Sequence, residues 1–408
     1  MHENIGLPYL HDRTTLAGMP GWVVPVLAVA GAALSAAGFV VGLSRGDHLA
    51  WFLHAYLTNY VFFLSISLGA LFFTILHHAT RAGWSVAVRR LLEILAANMP
   101  ILAVLFLPLL AAVLLRNPAL YPWVDPNATG QSEGIAHKSG YLNATFFTLR
   151  ALAYLAVWWL LARYYVGRSY RQDRSGDPAL TIGMERFSGP ALILLAFSVT
   201  FAAFDWLMSL DPEWLSTIYG VYFFSGTTLG ALAAVILMAV LLQAGGRLTS
   251  AITAEHYHDL GKLLFAMIVF WGYIAFSQYM LIWYGNVPEE THWYLARQTG
   301  AWTPVSLGLL FGQLLIPFVG MLSREAKRRK RILYFWAVWI LAFHWLDMYW
   351  LVAPSLEGPG LPFGPIDLCL LAGLGCLYLA GLLRTARQGQ LLPVRDPRLG
   401  ESLAFENA

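Results

Sequence analysis

The chain has 408 residues, of which 58% are hydrophobic and only 12% charged, with a formal net charge of +3 and a mean hydropathy of +0.59. A soluble domain carries roughly 25% charged residues, so water-surrounded enzyme folds, nucleic-acid binders and disordered scaffolds are excluded. So small a net charge implies no polyanionic partner such as nucleic acid, and where the charges lie matters more than their sum.

A helix crossing a bilayer needs about 20 mostly apolar residues, and only helices or closed barrels satisfy their backbone there. The apolar runs are too long and too uniform for barrel strands, which predicts an all-α polytopic membrane protein. Ten spans are expected, near 21–43, 50–77, 92–115, 141–166, 189–210, 215–243, 260–285, 301–323, 331–353 and 363–383. Ahead of them, the segment 1–20 shows no signal-peptide order of basic, apolar and small residues, so the first span is expected to direct insertion itself. The tail 387–408 is polar and contains proline.

An even number of spans puts both termini on one side. That side then holds twenty Lys and Arg, including the run Arg324, Lys327, Arg328, Arg329, Lys330 and Arg331, against four opposite: Arg45, Arg116, Lys138 and Arg297. By the positive-inside rule both termini are expected in the cytoplasm. Cys369 and Cys376 share span ten, and no CxxC or Cys/His cluster is present to hold zinc or an iron–sulfur cluster.

Spans two and six repeat one another at an offset of 161: Phe62–Phe63 matches Phe223–Phe224, and the LGAL of Leu68–Leu71 matches Leu229–Leu232. AFDWL from Ala203 recurs as AFHWL from Ala342, offset by 139, aligning Asp205 with His344. The expected organisation is therefore a first helix and loop (21–49), a four-helix bundle (50–213), a second bundle in the same orientation (214–354) and a tenth helix (355–386). The first and tenth helices are peripheral to this parallel repeat.

Titratable groups at membrane depth are costly and are read first as functional. Asp205 is fifteen residues beyond Pro190, about 22 Å into a core of about 30 Å. His344 and Asp347 are one turn apart, a spacing suited to proton transfer. His54, Arg150, Gln278 and Asp367 also fall in the half of the membrane away from the termini. Together these seven are candidates to bind a polar headgroup and move its protons. Nearer the termini, His77, His78 and Glu93 are candidates for proton entry. Simpler roles compete: an ion pair of Glu93 with Arg89, a structural bond of Asp205 to Arg150, interfacial solvation of Asp367. Trp206, Trp283 and Trp345 read as belt or packing residues. No histidine pair recurs at one spacing in both bundles, so no haem bound by this chain is expected.

Three stretches carry a family resemblance: HKSGYLNATFF (His137–Phe147), FSQYMLIWYGNVPEET (Phe276–Thr291) and DPRLGESLAFEN (Asp396–Asn407). They are similar to motifs of the NrfD-like (polysulfide-reductase-like) membrane subunits of alternative complex III, a quinol:cytochrome c oxidoreductase, and of the ActF-like branch in particular. Length and span number agree over nearly the whole chain. The resemblance implies a subunit in a bacterial inner membrane, in respiration or photosynthesis. It implies proton translocation coupled to quinol oxidation, and quinol binding as a second role. It implies no redox metal on this chain and a quinone, such as menaquinone, as its one ligand. Haems and iron–sulfur clusters would belong to periplasmic iron–sulfur and multihaem cytochrome subunits, beside a homologous NrfD-like membrane subunit. Lys138, Asn286, Glu289 and Glu290 would face those partners. Two other classes remain open from the residues alone, a proton-coupled secondary transporter and a purely structural membrane anchor.

Overall fold

Inside hydrocarbon a backbone group finds no water, so long apolar runs close their hydrogen bonds as helices. The computed structural model describes residues 12–356 and 360–407; most of the N-terminal segment, 1–11, lies outside the described residues, as do 357–359 and 408. Among the described residues the regular structure is helical throughout, apart from one isolated bridge between Arg13 and Arg247. Ten helices among these residues are long and apolar enough to cross a membrane. They are α1 (Val23–Leu43), α2 (Ala50–Ala79), α3 (Val86–Leu114), α4 (Ala144–Ser175), α5 (Ala179–Leu210), α6 (Tyr219–Ala244), α7 (Ala254–Gly285), α8 (Gly300–Gly320), α9 (Lys330–Ser355) and α10 (Pro365–Ala386). The chain is an all-α polytopic membrane protein.

Several boundaries differ from the apolar runs. The polar stretch expected between spans four and five, 167–188, is mostly helix: α4 runs on to Ser175, stops at Gly176 in a left-handed conformation (φ +68°), and α5 starts at Ala179. Hydropathy marks only the part of a helix sunk in lipid, whereas the backbone continues until a residue such as glycine can turn left-handed. α3 is interrupted at Asn98 and again at Phe106, each break followed by a proline (Pro100, Pro108) in the first turn of the next segment. α8 contains a π-helical stretch, Leu310–Leu315. Between α7 and α8 a short helix, Pro288–Gln298, lies where a loop was expected.

The two groups expected from the sequence, α2 to α5 and α6 to α9, are in extensive contact, with α2 and α6 against each other at the centre and α2 also against α9. Close approach there needs glycine: a Cβ on Gly69 would sit 2.0 Å from the Thr227 carbonyl oxygen. α1 and α10 form a pair on the flank of α2 through Gly31 and Gly373, as small residues permit in membranes. Burial follows position: 89% of the apolar window of α2 is buried within the protein, against 17% for α1.

Both described ends lie on one face, here the terminal face. The Asp12 carboxylate accepts from the Ser250 and Ala251 N–H groups (2.8 Å each), on the turn between α6 and α7. The tail crosses this face as a strap. Leu391 N–H donates to the Thr14 carbonyl (2.6 Å), Asp396 pairs with Arg89, and Arg398 meets Glu185 at 2.7 Å. The Ser402 hydroxyl lies between the Trp84 carbonyl (2.6 Å) and His256 Nε2 (3.2 Å), and Asn407 accepts from Lys262 (2.8 Å). The strap thus touches α3 and α5 of one group and α7 of the other.

Candidate functional site

The sequence gathers its titratable groups into one half of the membrane; the structure divides them among separate places. The most enclosed is on α9. His344 and Asp347, one turn apart, are both wholly buried and face α6, where two glycines make room for them. A Cβ on Gly230 would come within 2.7 Å of His344 Cδ2, and one on Gly226 within 3.5 Å of His344 Nδ1 and 3.6 Å of Asp347 Oδ2. Asp347 Oδ1 accepts from the Tyr222 hydroxyl (2.6 Å) and Oδ2 from the Trp271 indole N–H (3.1 Å). His344 Nε2 lies 2.7 Å from Ser65 Oγ, whose hydroxyl donates to the Phe62 carbonyl (2.7 Å). The ring is held on Ser65 through Nε2, and Nδ1 has no hydrogen-bond partner among the described residues. An imidazole with one unpartnered nitrogen and a carboxyl that accepts from neutral donors are thus placed side by side.

Next to this pair a half-open cavity of about 520 Å3 lies among α7, α8 and the Pro288–Gln298 helix. Tyr222, Trp271 and Trp350 line its inner side, with Tyr279, Tyr294 and Ser306 around it. The exposed Phe276, Leu307 and Leu310 border the side that faces lipid. Tyr222 therefore lines the cavity and bonds Asp347 through its hydroxyl. The π-helical stretch of α8 forms part of this wall, and such stretches often occur at functional sites.

Asp205 is accounted for differently. Arg150 Nε and Nη2 donate to its two oxygens at 2.8 and 2.9 Å, and the Tyr154 hydroxyl donates to Oδ2 at 2.8 Å. Arg150 also stacks over Tyr141 at 3.7 Å and donates to its carbonyl. Both carboxylate oxygens are committed to a bidentate pair, which makes this a fixed joint between α4 and α5.

The other membrane candidates stand apart. His54 Nδ1 bonds to the Ala50 carbonyl (2.8 Å), one turn back in its own helix. Asp367 accepts from Trp51 Nε1 (3.0 Å) and the Gly364 N–H (2.9 Å), capping the start of α10. Gln278 is buried in α7 beyond Trp271. Near the terminal face, Glu93 lies 3.2 Å from Arg89 Nε and 3.0 Å from Arg90 Nε. Arg90 also reaches Asp173 (2.7 Å), and Arg89 reaches Asp396, so five charged side chains form one buried cluster. His77 and His78 lie beside it, their rings against Trp84 (5.6 Å) and Tyr165 (5.5 Å).

No protein-family model matches this chain, and no curated protein matches it. On the face opposite the termini, Lys138 donates to the Pro212 carbonyl (2.6 Å), and burial pulls its pKa down. The Glu290 carbonyl accepts from Trp214 Nε1 (3.0 Å), while Asn286 and Glu289 are exposed. Arg297 is wholly buried and forms no ion pair among the described residues. It donates to the carbonyls of Trp350 (3.1 Å) and Leu351 (3.0 Å) at the end of α9, with Trp293 under its guanidinium at 3.4 Å. Burial lowers its pKa to about 10, which still leaves it a cation at neutral pH.

Sequence reading picked out Asp347 and His344 but not Tyr222, Trp271, Ser65, Gly226 or Gly230. The one available signal was the repeated LGAL motif, which contains Gly230.

Proposed function

We propose that the chain is a membrane subunit of a quinol:acceptor oxidoreductase of the alternative complex III type, and that it contributes to proton translocation coupled to quinol oxidation. The observation that carries this reading is Asp347. It is wholly buried, bonded by two neutral donors and in no ion pair among the described residues, beside the unpartnered Nδ1 of His344. Such a carboxyl can gain or lose a proton without breaking a salt bridge, whereas Asp205 cannot. The cavity that reaches Tyr222 and opens toward lipid supports the second role, binding of a quinol ring. Periplasmic iron–sulfur and multihaem cytochrome subunits, and a homologous NrfD-like subunit, would complete the complex in a bacterial inner membrane, with both termini cytoplasmic.

Gentle purification of the native assembly tests this, with the co-purifying subunits identified and the haem spectrum recorded. Cytochrome and iron–sulfur partners are expected. A lone chain catalysing substrate-dependent uptake would make it a proton-coupled transporter instead.

A further inference from the structure

A second cavity, on the terminal face, plays no part in the function proposed above. It measures about 590 Å3 and lies where α2, α5 and the strap meet, lined by Arg81, Arg186 and Arg398, with Glu185 the carboxylate among them. Glu185 is shared: Oε2 is 3.2 Å from Arg81 Nε and Oε1 is 2.7 Å from Arg398 Nη2. Three guanidiniums against one carboxylate leave two positive charges, and Arg186 is in no ion pair among the described residues. Planar guanidinium forks suit phosphate oxygens.

The face of α5 that lines the cavity runs on beyond it. Ile182, Arg186, Ile193 and Phe197 fall on one face of α5 by helical spacing. Ile182 is 46% exposed, Ile193 59% and Phe197 62%. Between them a Cβ on Gly189 would meet nothing within 4 Å. A cationic cavity thus adjoins an exposed apolar track on the same helix face.

We propose that this cavity binds one anionic phospholipid, with its phosphate among Arg81, Arg186 and Arg398 and an acyl chain along Ile182, Ile193 and Phe197. A soluble anion would use the arginines but not the track.

The full chain, reconstituted in nanodiscs of phosphatidylcholine with a minor fraction of phosphatidylglycerol and then re-extracted in mild detergent, is expected to retain phosphatidylglycerol preferentially. Arg186→Gln and Arg81→Gln should each reduce that preference about fivefold, the scale set by one arginine at an anionic surface. Both side chains are exposed, so the variants should elute and melt as the parent does. Ile193→Ser should weaken retention of the lipid too, and excess inorganic phosphate should fail to displace it. Equal retention of the two lipids by the parent, or an unchanged preference in both arginine variants, would overturn the proposal. Displacement by inorganic phosphate together with indifference to Ile193→Ser would also overturn it, and would mark a site for soluble anions.

Discussion

Asp347 and Asp205 show how surroundings decide what a buried carboxylate can do. Arg150 fixes Asp205, whereas Asp347 accepts from a phenol and an indole. In Asp347→Asn the amide keeps the acceptor for Tyr222 and turns its NH2 toward the Trp271 N–H, losing one bond, about 1–2 kcal/mol. The proposed function predicts that vesicles containing this variant show a lower proton-to-electron ratio while the thermal midpoint falls by only a few degrees. An unchanged ratio would remove Asp347 from the pathway. Gly230→Ala should cost about 1–3 kcal/mol, because its methyl would push His344 off Ser65. Gly308→Ala, whose nearest neighbour would be Leu346 at 3.8 Å, should melt like the parent. His344 and Asp347 were legible because titratable residues are rare in apolar runs. Tyr222 and Trp271 were not, since they lie 125 and 76 residues from Asp347 and an aromatic in a membrane helix reads first as packing.

Among the elements, α9 shows where a helix end is held. Its last carbonyls would be orphaned in a buried place, and Arg297, from the neighbouring Pro288–Gln298 helix, donates to two of them. A cation at a helix C-terminus is also favoured by the helix dipole. Arg297→Leu leaves both carbonyls without a donor, at about 1–3 kcal/mol each, and should expose 288–302 to protease before the rest of the chain; equal cleavage in parent and variant would show that the cap is dispensable. From the sequence Arg297 was only one of four cations opposite the termini, because nothing in a linear pattern says that a loop arginine turns inward. Apolar runs of about 20 residues made all ten spans legible. The extensions of α4 and α5 past the apolar runs were not, since amphipathic turns outside lipid carry no hydropathy signal.

Across the whole molecule, the strap joins the two helix groups at the terminal face. The motif from Asp396 to Asn407 had no readable chemistry in the sequence; in the structure Asp396 is a counter-ion of Arg89, and Ser402 bridges Trp84 and His256. Asp396→Asn leaves Arg89 with Glu93, which Arg90 shares, and should cost about 3–5 kcal/mol, as breaking a buried pair does; an unshifted thermal midpoint would contradict this. The N-terminal contact should respond to acid. Burial works against ionisation of Asp12, but donors from Thr249, Ala251 and Ser250 outweigh it and hold the carboxyl below its usual range. Its contribution is complete above the ordinary aspartate pKa of about 3.9 and disappears as pH falls through the lower folded value. Proteolysis of the segment near Asp12 should therefore accelerate as the pH falls below the ordinary aspartate pKa, relative to an Asp12→Asn variant that shows no such step.

The pairing of Arg89 with Asp396 also orders events in time. The two are 307 residues apart, and at about 5–20 residues per second the ribosome reaches Asp396 some 15–60 s after Arg89. Throughout that interval α3 must enter the bilayer with one arginine short of a counter-ion, so the newborn chain depends on water, lipid phosphate or the insertion machinery to shelter it until its own tail arrives.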